Sequence, residues 1–420
     1  MSMPSREHPD RRAIMRELHA RPVDIIETTA RLRRTVFVLP PVPGAMDAIL
    51  TRFRDFLASR KLPPPGGDTR QFAFVSGDRR ITWEFHTEFV TVTWRTGPED
   101  ETAWPDDIGL DLFKDAELIG ASRVDVRAGD TINESILPQF ELSSLCVVMV
   151  EKGKAQLVTD FVEDADGFTH FEFAAGALTP LRRSIVTRRL LEVDTYRTMA
   201  LLALPLARRI GPDLRAAETE LTGLMERLPE ATTTDGVQKA LTALHALSVR
   251  AGQLSERTSY RFAAAAAYGQ VLTARLVGLR EVETNLGSTV SRYLSNRVDP
   301  ALATCAAMEK RIGVLTDKIA RAIELLNVRI GLDLQIQNQS LLESLTKTAQ
   351  SQYRLQATVE GLSVIAISYY LLGILGYALA GPLEKLEIDK GVALSISVPF
   401  VVLLVWYFVR TIRRRHFDGS

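Results

Sequence analysis

The stretch LSVIAISYYLLGILGYALA at 362–380, followed by VALSISVPFVVLLVWYFV at 392–409, decides the architecture of this 420-residue chain. Neither run contains a charged residue. At about 1.5 Å per residue, a helix of either run spans most of the roughly 30 Å hydrocarbon core of a bilayer. The sequence therefore predicts two transmembrane helices, which the short outer loop 381–391 joins into a hairpin.

The charges around the two runs indicate their orientation. Four arginines follow the second run, whereas the loop offsets its two lysines with acidic residues, namely Glu384, Glu387 and Asp389. Basic residues accumulate on the cytoplasmic side of a membrane. The first 22 residues contain no apolar core of a signal peptide. We therefore expect a multi-pass protein with both termini in the cytoplasm, including the basic tail 410–420.

The N-terminal part predicts an α+β (mixed α/β) cytoplasmic domain over residues 1–178. Its sheet is expected to be largely antiparallel, because a hairpin is indicated around Ser76-Gly77-Asp78. Strands are predicted at 35–39, 72–75, 79–95, 144–150, 155–161 and 169–173, and helices at 47–60 and 105–118.

No strand is predicted after Thr179. Residues 179–299 are expected to form a helical domain, with helices at 181–209, 213–228, 237–254 and 259–294, and residues 300–361 a long stalk helix that runs into the first span. No proline occurs between Ala301 and Gly381. A single helix of that length would measure about 120 Å and needs helical partners, so a homo-oligomer is expected.

Polar residues crowd the membrane end of the predicted stalk. They are Asn327, Gln335, Gln337, Asn338, Gln339, Gln350, Gln352 and Gln356. Such residues in a helix seam either specify register and oligomer state or line a hydrated path. The sequence leaves both alternatives open.

Composition excludes several functional classes. The 51 basic residues balance 51 acidic ones, so nothing indicates a nucleic-acid partner. The two cysteines, Cys146 and Cys305, rule out a disulfide framework and a cysteine-rich zinc site. No phosphate-binding loop, nucleophile elbow or zinc-protease motif is present. We therefore expect no metal, no cofactor and no catalytic group.

Two short motifs contain residue types that bind metals. His86 and Glu88 alternate on one predicted strand, but no third ligand stands at a suitable spacing. Asp164, Asp166 and Gly167 lack the glutamate of a calcium loop, which favours a plain hairpin turn.

The motif ELHARP at 17–22 places Glu17, His19 and Arg21 close together. A histidine between two charges suits a general base or a phosphate contact. The same residues also suit a cap and docking turn after a first helix.

ELHARP and the segment LQATVEGLSVIAISYYLLGILGY at 355–377 resemble a family of bacterial membrane-anchored proteins with a domain of unknown function. The resemblance covers essentially the whole chain. It implies a location in the bacterial inner membrane and assigns no chemistry.

The predicted plan is also similar to that of CorA-type magnesium channels. In that family the first spans of five chains line the pore, and a Gly-Met-Asn motif selects the ion. This chain has Gly-Tyr-Ala-Leu-Ala-Gly-Pro at 376–382 instead, which argues against magnesium selectivity. If a divalent cation passes, the resemblance implies a path along Ser363, Ser368, Tyr369, Glu384, Glu387 and Asp389. The two serines suit helix packing equally.

Three hypotheses for function follow. The first is a membrane-anchored, homo-oligomeric binding or organising module with the lipid bilayer as a partner. The second is a CorA-like divalent-cation channel or transporter, and the third is a membrane-tethered enzyme that uses the ELHARP cluster. A pentameric mass in detergent is required by the second hypothesis alone.

Overall fold

The computed structural model describes residues 8, 10–11, 14–15, 22–66, 69–230, 233–378 and 389–417. The chain divides into two compact units, Met1–Ile323 and Glu324–Ser420. The predicted boundary between residues 178 and 179 falls within the first unit.

The described elements up to residue 174 are strands apart from one α-helix and short turns, and those from residue 180 onward are mostly helical. In chain order they are β1 (Ala30–Val38), α1 (Ala45–Ser59), β2 (Gln71–Ser76), β3 (Arg79–Phe85), β4 (Phe89–Thr96), β5 (Glu117–Arg127), β6 (Cys146–Val150), β7 (Ala155–Thr159), β8 (Thr169–Ala174), α2 (Pro180–Leu201), α3 (Ala203–Arg227), α4 (Thr234–Leu279), β9 (Val282–Glu283), α5 (Val290–Ala378) and α6 (Lys390–Phe417). This order confirms a mixed sheet and helix region followed by long helices.

The nine strands found among the described residues form one sheet in the order β2-β3-β4-β1-β5-β8-β7-β6-β9. Every neighbouring pair is antiparallel except β5 and β8, which are parallel. The predicted turn at residues 76–78 is present, and Gly77 adopts a φ of 60° there, which suits glycine.

Apolar residues that alternate along the central strands build the main core. Leu32, Val124 and Phe171 point to one face of the sheet and pack with Val186 and Leu190 of α2. Helix α1 covers other strands, with Phe53 and Leu57 against Trp83 and Trp94. Both layers follow from the sequence pattern, because side chains alternate between the two faces of a strand and apolar residues line one side of a helix.

Three described helices are long and apolar enough to span a membrane by length and composition: α4, α5 and a segment of α6, Gly391–Thr411. A third of the apolar window of α4 is buried. Phe262, Leu272 and Leu276 of α4 lie in the core, and Gly269 lies so close to Leu302 that a side chain there would collide with it. We therefore assign α4 to the first unit.

Three expectations for elements were wrong. The predicted helix at 105–118 is absent, because Gly109 at a φ of 88° allows only a short turn at Leu110–Leu112 before β5 begins. Strand β5 itself was missed. The predicted helix at 259–294 ends at Leu279, where Arg280 turns left-handed with a φ of 52° and β9 follows, so a strand exists after Thr179.

The predicted continuity between the stalk and the first span is confirmed as far as Ala378, since α5 is one helix. Of the loop predicted at 381–391, only residues 389–391 are among the described residues.

Candidate functional site

Charged residues occupy one face of β1, β5 and β8 in two rows across the strands. One row pairs Arg31 with Asp125 and Asp125 with Glu172, and the next pairs Arg33 with Arg123 and Arg123 with His170. Residues that pair across neighbouring strands share a face of the sheet. The alternating phenylalanines and valines of these strands face the α2 core instead, so the charges converge on the opposite side.

The centre of this face is the His170 cluster, which we define as Asp125, His170 and Glu172. Nε2 of His170 lies 3.0 Å from Oδ2 of Asp125 and 3.3 Å from Oε2 of Glu172. The Asp125 and Glu172 side chains are 4 % and 6 % exposed. Phe140 stacks on the imidazole ring, with 5.3 Å between the ring centroids. The imidazole is therefore held between two buried carboxylates and one aromatic face.

Arginines bind the remaining oxygen atoms of the cluster. Nε of Arg31 donates to Oδ1 of Asp125 at 2.5 Å, and Nε of Arg127 donates to Oε1 of Glu172. Burial opposes ionisation of Asp125, but hydrogen bonds from His170 and Arg31 outweigh it and hold the pKa of Asp125 well below its usual value. Asp125 is thus stabilised as an anion.

The pKa of His170 shifts in the opposite direction to the pKa of Asp125. Burial alone would lower the pKa of His170, but hydrogen bonds to Asp125 and Glu172 raise it above the ordinary value. The geometry therefore favours a protonated His170 whose Nε2–H group forms hydrogen bonds with both carboxylates.

Arg33 lies beside the cluster and has one hydrogen-bond acceptor among the described residues. The residue is 2 % exposed, and Nε and Nη1 of its guanidinium have no hydrogen-bond partner among the described residues. Its Nη2 donates to the carbonyl oxygen of Asp100 at 3.1 Å. Burial and the neighbouring Arg31 lower the pKa of Arg33. Arg33 is therefore a buried cation with a single hydrogen bond among the described residues.

The three members of the His170 cluster also offer ligand atoms for a metal, all within 4.8 Å of one another. A metal-bound imidazole must be neutral, so a cation would have to displace the proton of His170. It would also add positive charge beside the buried guanidinium of Arg33, whose Nε and Nη1 have no hydrogen-bond partner among the described residues. The arrangement favours the proton over a metal ion.

Replacing His170 with Gln is expected to lower stability most in acid. The pKa of His170 is higher in the folded protein than in the unfolded chain. The imidazolium therefore stabilises the fold fully at pH values below the unfolded-state pKa of about 6.5. This stabilisation is lost as pH rises through the folded-state pKa. We expect a loss of about 1.5–3 kcal/mol at pH 6, measured as a lower thermal midpoint. The deficit should shrink towards pH 9. The exposed His245→Gln is the control, and a deficit independent of pH would contradict the imidazolium.

A second charged group joins α4 to Glu88, the residue immediately before β4. The Glu88 carboxylate accepts hydrogen bonds from Arg261 at 3.0 and 2.7 Å and from the Tyr268 hydroxyl at 2.7 Å. Burial and this bond raise the pKa of Tyr268. An open cleft of about 610 Å³ borders the group. His86, considered with Glu88 as a zinc pair, stacks on Phe89 instead.

The residues predicted for an ion path lie in different surroundings. The Ser363 hydroxyl donates to the carbonyl of Val359 at 2.8 Å and lines an open cleft. Ser368 is 3 % exposed and its hydroxyl has no partner among the described residues, whereas Tyr369 is 74 % exposed. Asp389 caps α6 by accepting a hydrogen bond from Gly391. The described residues do not bring these side chains to one place.

Five predicted site residues lie outside the described residues: Glu17, His19, Arg21, Glu384 and Glu387. The turn at Asp164–Gly167 is present, and its first aspartate accepts backbone hydrogen bonds from Asp166 and Phe168.

Sequence reasoning missed the His170 cluster. A signal existed in Ser-Arg-Val-Asp-Val-Arg at 122–127 and Thr-His-Phe-Glu-Phe at 169–173, where charged and apolar residues alternate. That alternation marks a strand with one charged face.

A model of the family described as "Protein of unknown function (DUF3422)" matches residues 6–416. Neither the curated proteins nor the solved structures contain a match to the chain.

Proposed function

The chain belongs to the DUF3422 family of proteins of unknown function, and from this premise we propose that it is a membrane-anchored binding module that assembles into a homo-oligomer. The anchor is the second half of α5 together with α6, and the first unit carries the binding surfaces on the cytoplasmic side of a bacterial inner membrane.

The proposed membrane anchor is supported by the exposure of its two apolar helices. Only 6 % of the apolar window in α5 and 11 % of that in α6 is buried. Ile374 and Leu403, which lie within the two uncharged runs 362–380 and 392–409, are 64 % and 61 % exposed. Apolar helices that expose so much surface need a lipid environment, since soluble proteins rarely expose large contiguous apolar patches.

The oligomer is supported by α5 before its apolar window. Val328, Leu332 and Ile336 follow one another at a spacing of four and are each more than half exposed. Residues at this spacing lie on one side of a helix. A matching helix of a second copy would cover them.

The wild-type protein is expected to pellet with membranes and to resist extraction at alkaline pH. An arginine at the centre of a span costs about 2.5–3.5 kcal/mol of insertion free energy. The double variant Ile374→Arg/Leu403→Arg should therefore become extractable, whereas Ile374→Leu/Leu403→Ile should not. Wild-type protein in the aqueous fraction without detergent would contradict the anchor.

The orientation and the assembly need separate measurements. A C-terminal tag should resist protease in intact spheroplasts and be cleaved after permeabilisation.

The mass of the detergent-solubilised protein gives the number of copies in the assembly. A pentamer that conducts divalent cations in liposomes would replace this proposal with the CorA-like channel.

A further inference from the structure

Strand β2 is one edge of the described sheet, and β3 is its neighbour. A two-residue turn joins the two strands, and Ser76 pairs with Arg79 across it. In such a hairpin the pair next to the turn exchanges backbone hydrogen bonds, and bonded pairs recur at every second residue. The bond from the amide of Phe85 to the carbonyl of Arg70, at 2.9 Å, follows the same alternation. The odd-numbered residues of β2 therefore turn their amide and carbonyl groups away from β3.

Three residues of β2 supply these outward groups: Gln71, Ala73 and Val75. In the part of the chain that the structure describes, none of their amides or carbonyls forms a backbone hydrogen bond outside the sheet. Outward amides and carbonyls on an edge strand are the groups through which a further strand is added to a sheet. The edge thus offers three donors and three acceptors at the spacing of a strand.

β2 lacks the features that protect sheet edges from pairing. Its sequence, Gln-Phe-Ala-Phe-Val-Ser at 71–76, contains neither a charged residue nor a proline, and no bulge interrupts its register with β3. Val75 is 60 % exposed. The opposite edge is protected, because β9 has only two residues and its Glu283 forms an ion pair with Arg292.

The edge is also held firmly in place. Phe72 and Phe74, which alternate with the outward residues, pack against Phe53 and Phe56 of α1 with ring centroids 5.7 and 6.0 Å apart. β2 is therefore anchored in the core on one face. A pre-formed strand loses little conformational entropy when another strand pairs with it.

A second copy of β2 satisfies all the outward groups at once. When two copies run antiparallel about a twofold axis at Ala73, Ala73 pairs with the partner's Ala73, and Gln71 pairs with the partner's Val75. All three amides and all three carbonyls of each strand are then bonded. Because β2 is uncharged, pairing with its own copy places no like charges opposite each other along the strand.

We propose that two copies of this chain associate through antiparallel pairing of their β2 strands, which joins the two sheets into one. The inference rests on the homo-oligomer proposed above and assigns it an interface within the first unit. It is independent of the membrane anchor.

The test places cysteines on β2 of the full chain in membranes and oxidises them with copper phenanthroline. Hydrogen-bonded pairs have Cα atoms about 5.5 Å apart, a separation that a disulfide spans. Ala73→Cys should therefore form a covalent dimer, seen on a non-reducing gel as a band at twice the mass of the chain. The unmodified chain is the blank, because Cys146 and Cys305 are buried.

Val75→Cys is the matched control on the same strand. The two copies of residue 75 lie four residues apart along the paired strands, about 14 Å, which is too far for a disulfide. The cross-linked fraction should therefore be at least about tenfold smaller than that of Ala73→Cys. Adding Gln71→Cys to Val75→Cys should restore the link, because these two positions pair across the axis.

A charge on the edge should prevent the pairing. When Val75→Lys is added to Ala73→Cys, the cross-linked fraction should fall about tenfold. Val249, on α4, is 62 % exposed, so Val249→Lys makes the same change elsewhere and should leave the fraction unchanged. Near-ultraviolet circular dichroism checks the fold of each variant.

A folded Ala73→Cys protein that stays uncross-linked would overturn the proposal. A link to a protein of different mass would also overturn it, since the edge would then belong to another partner. Equal cross-linking of Ala73→Cys and Val75→Cys would indicate random collisions and would refute the register.

The mass of the detergent-solubilised protein separates this inference from the proposed oligomer. An oligomer without the Ala73→Cys link would refute the β2 pairing and leave assembly through α5 intact. A protein that is extracted from membranes without detergent but still forms the link would refute the anchor and retain the pairing.

Discussion

Asp125→Asn is expected to destabilise the first unit by about 3–5 kcal/mol. The carboxylate is 4 % exposed and contacts Arg31, Arg123 and His170. An asparagine cannot balance these charges, and removing one partner of a buried ion pair leaves an uncompensated charge. The measurement is the thermal midpoint of the detergent-solubilised protein, with near-ultraviolet circular dichroism to report tertiary packing.

The matched control is Asp55→Asn. Asp55 is exposed on α1, so the same chemical change there should alter stability by less than about 0.5 kcal/mol. Because Asp125 is held ionised by its neighbours, the deficit of Asp125→Asn should diminish as pH falls through the depressed pKa. Equal stability of the two variants at pH 7 would show that the buried charges are not coupled in this way.

Gly176→Ala is expected to destabilise the protein by about 2–3 kcal/mol or more. A Cβ at this position would lie 1.9 Å from the carbonyl oxygen of Ala128. That contact involves backbone, so the segments that follow β5 and β8 would have to separate. The amide of Gly176 donates to the carbonyl of Gly129 at 3.0 Å, and this bond would be lost as well. Thermal unfolding measures the effect.

Gly252→Ala provides a control of opposite sign. Gly252 lies within α4, and nothing stands within 4 Å of the added carbon. Alanine in a helix interior is favoured over glycine by about 0.5–1 kcal/mol. If both substitutions raised the midpoint, the close approach at Gly176 would be refuted.

The parts of the fold that follow from local pattern could be predicted. Uncharged runs identified the two C-terminal helices, alternating residues identified β3 and β4, and short segments rich in apolar residues identified β1, β6, β7 and β8. The boundary of α4 could not be predicted, because Arg280 adopts a left-handed conformation that the sequence does not mark. Glycine or asparagine is the usual residue there.

The His170 cluster depends on topology rather than on local pattern. Asp125 and His170 are 45 positions apart, and only the parallel pairing of β5 with β8 joins them. A single sequence does not specify which strands pair. In addition, arginine and aspartate are ordinarily exposed, so the composition of β5 gave no sign that Asp125 is buried.

The position of β9 has a consequence for synthesis of the chain. β9 pairs Val282 with Met149 of β6, which the ribosome adds 133 residues earlier. At about 5–20 residues per second, the edge of β6 waits roughly 7–27 s for its partner. An unpaired strand edge is open to pairing with other chains. Until residue 283 emerges, the β6 edge of the nascent protein is therefore open to pairing with the strands of other chains.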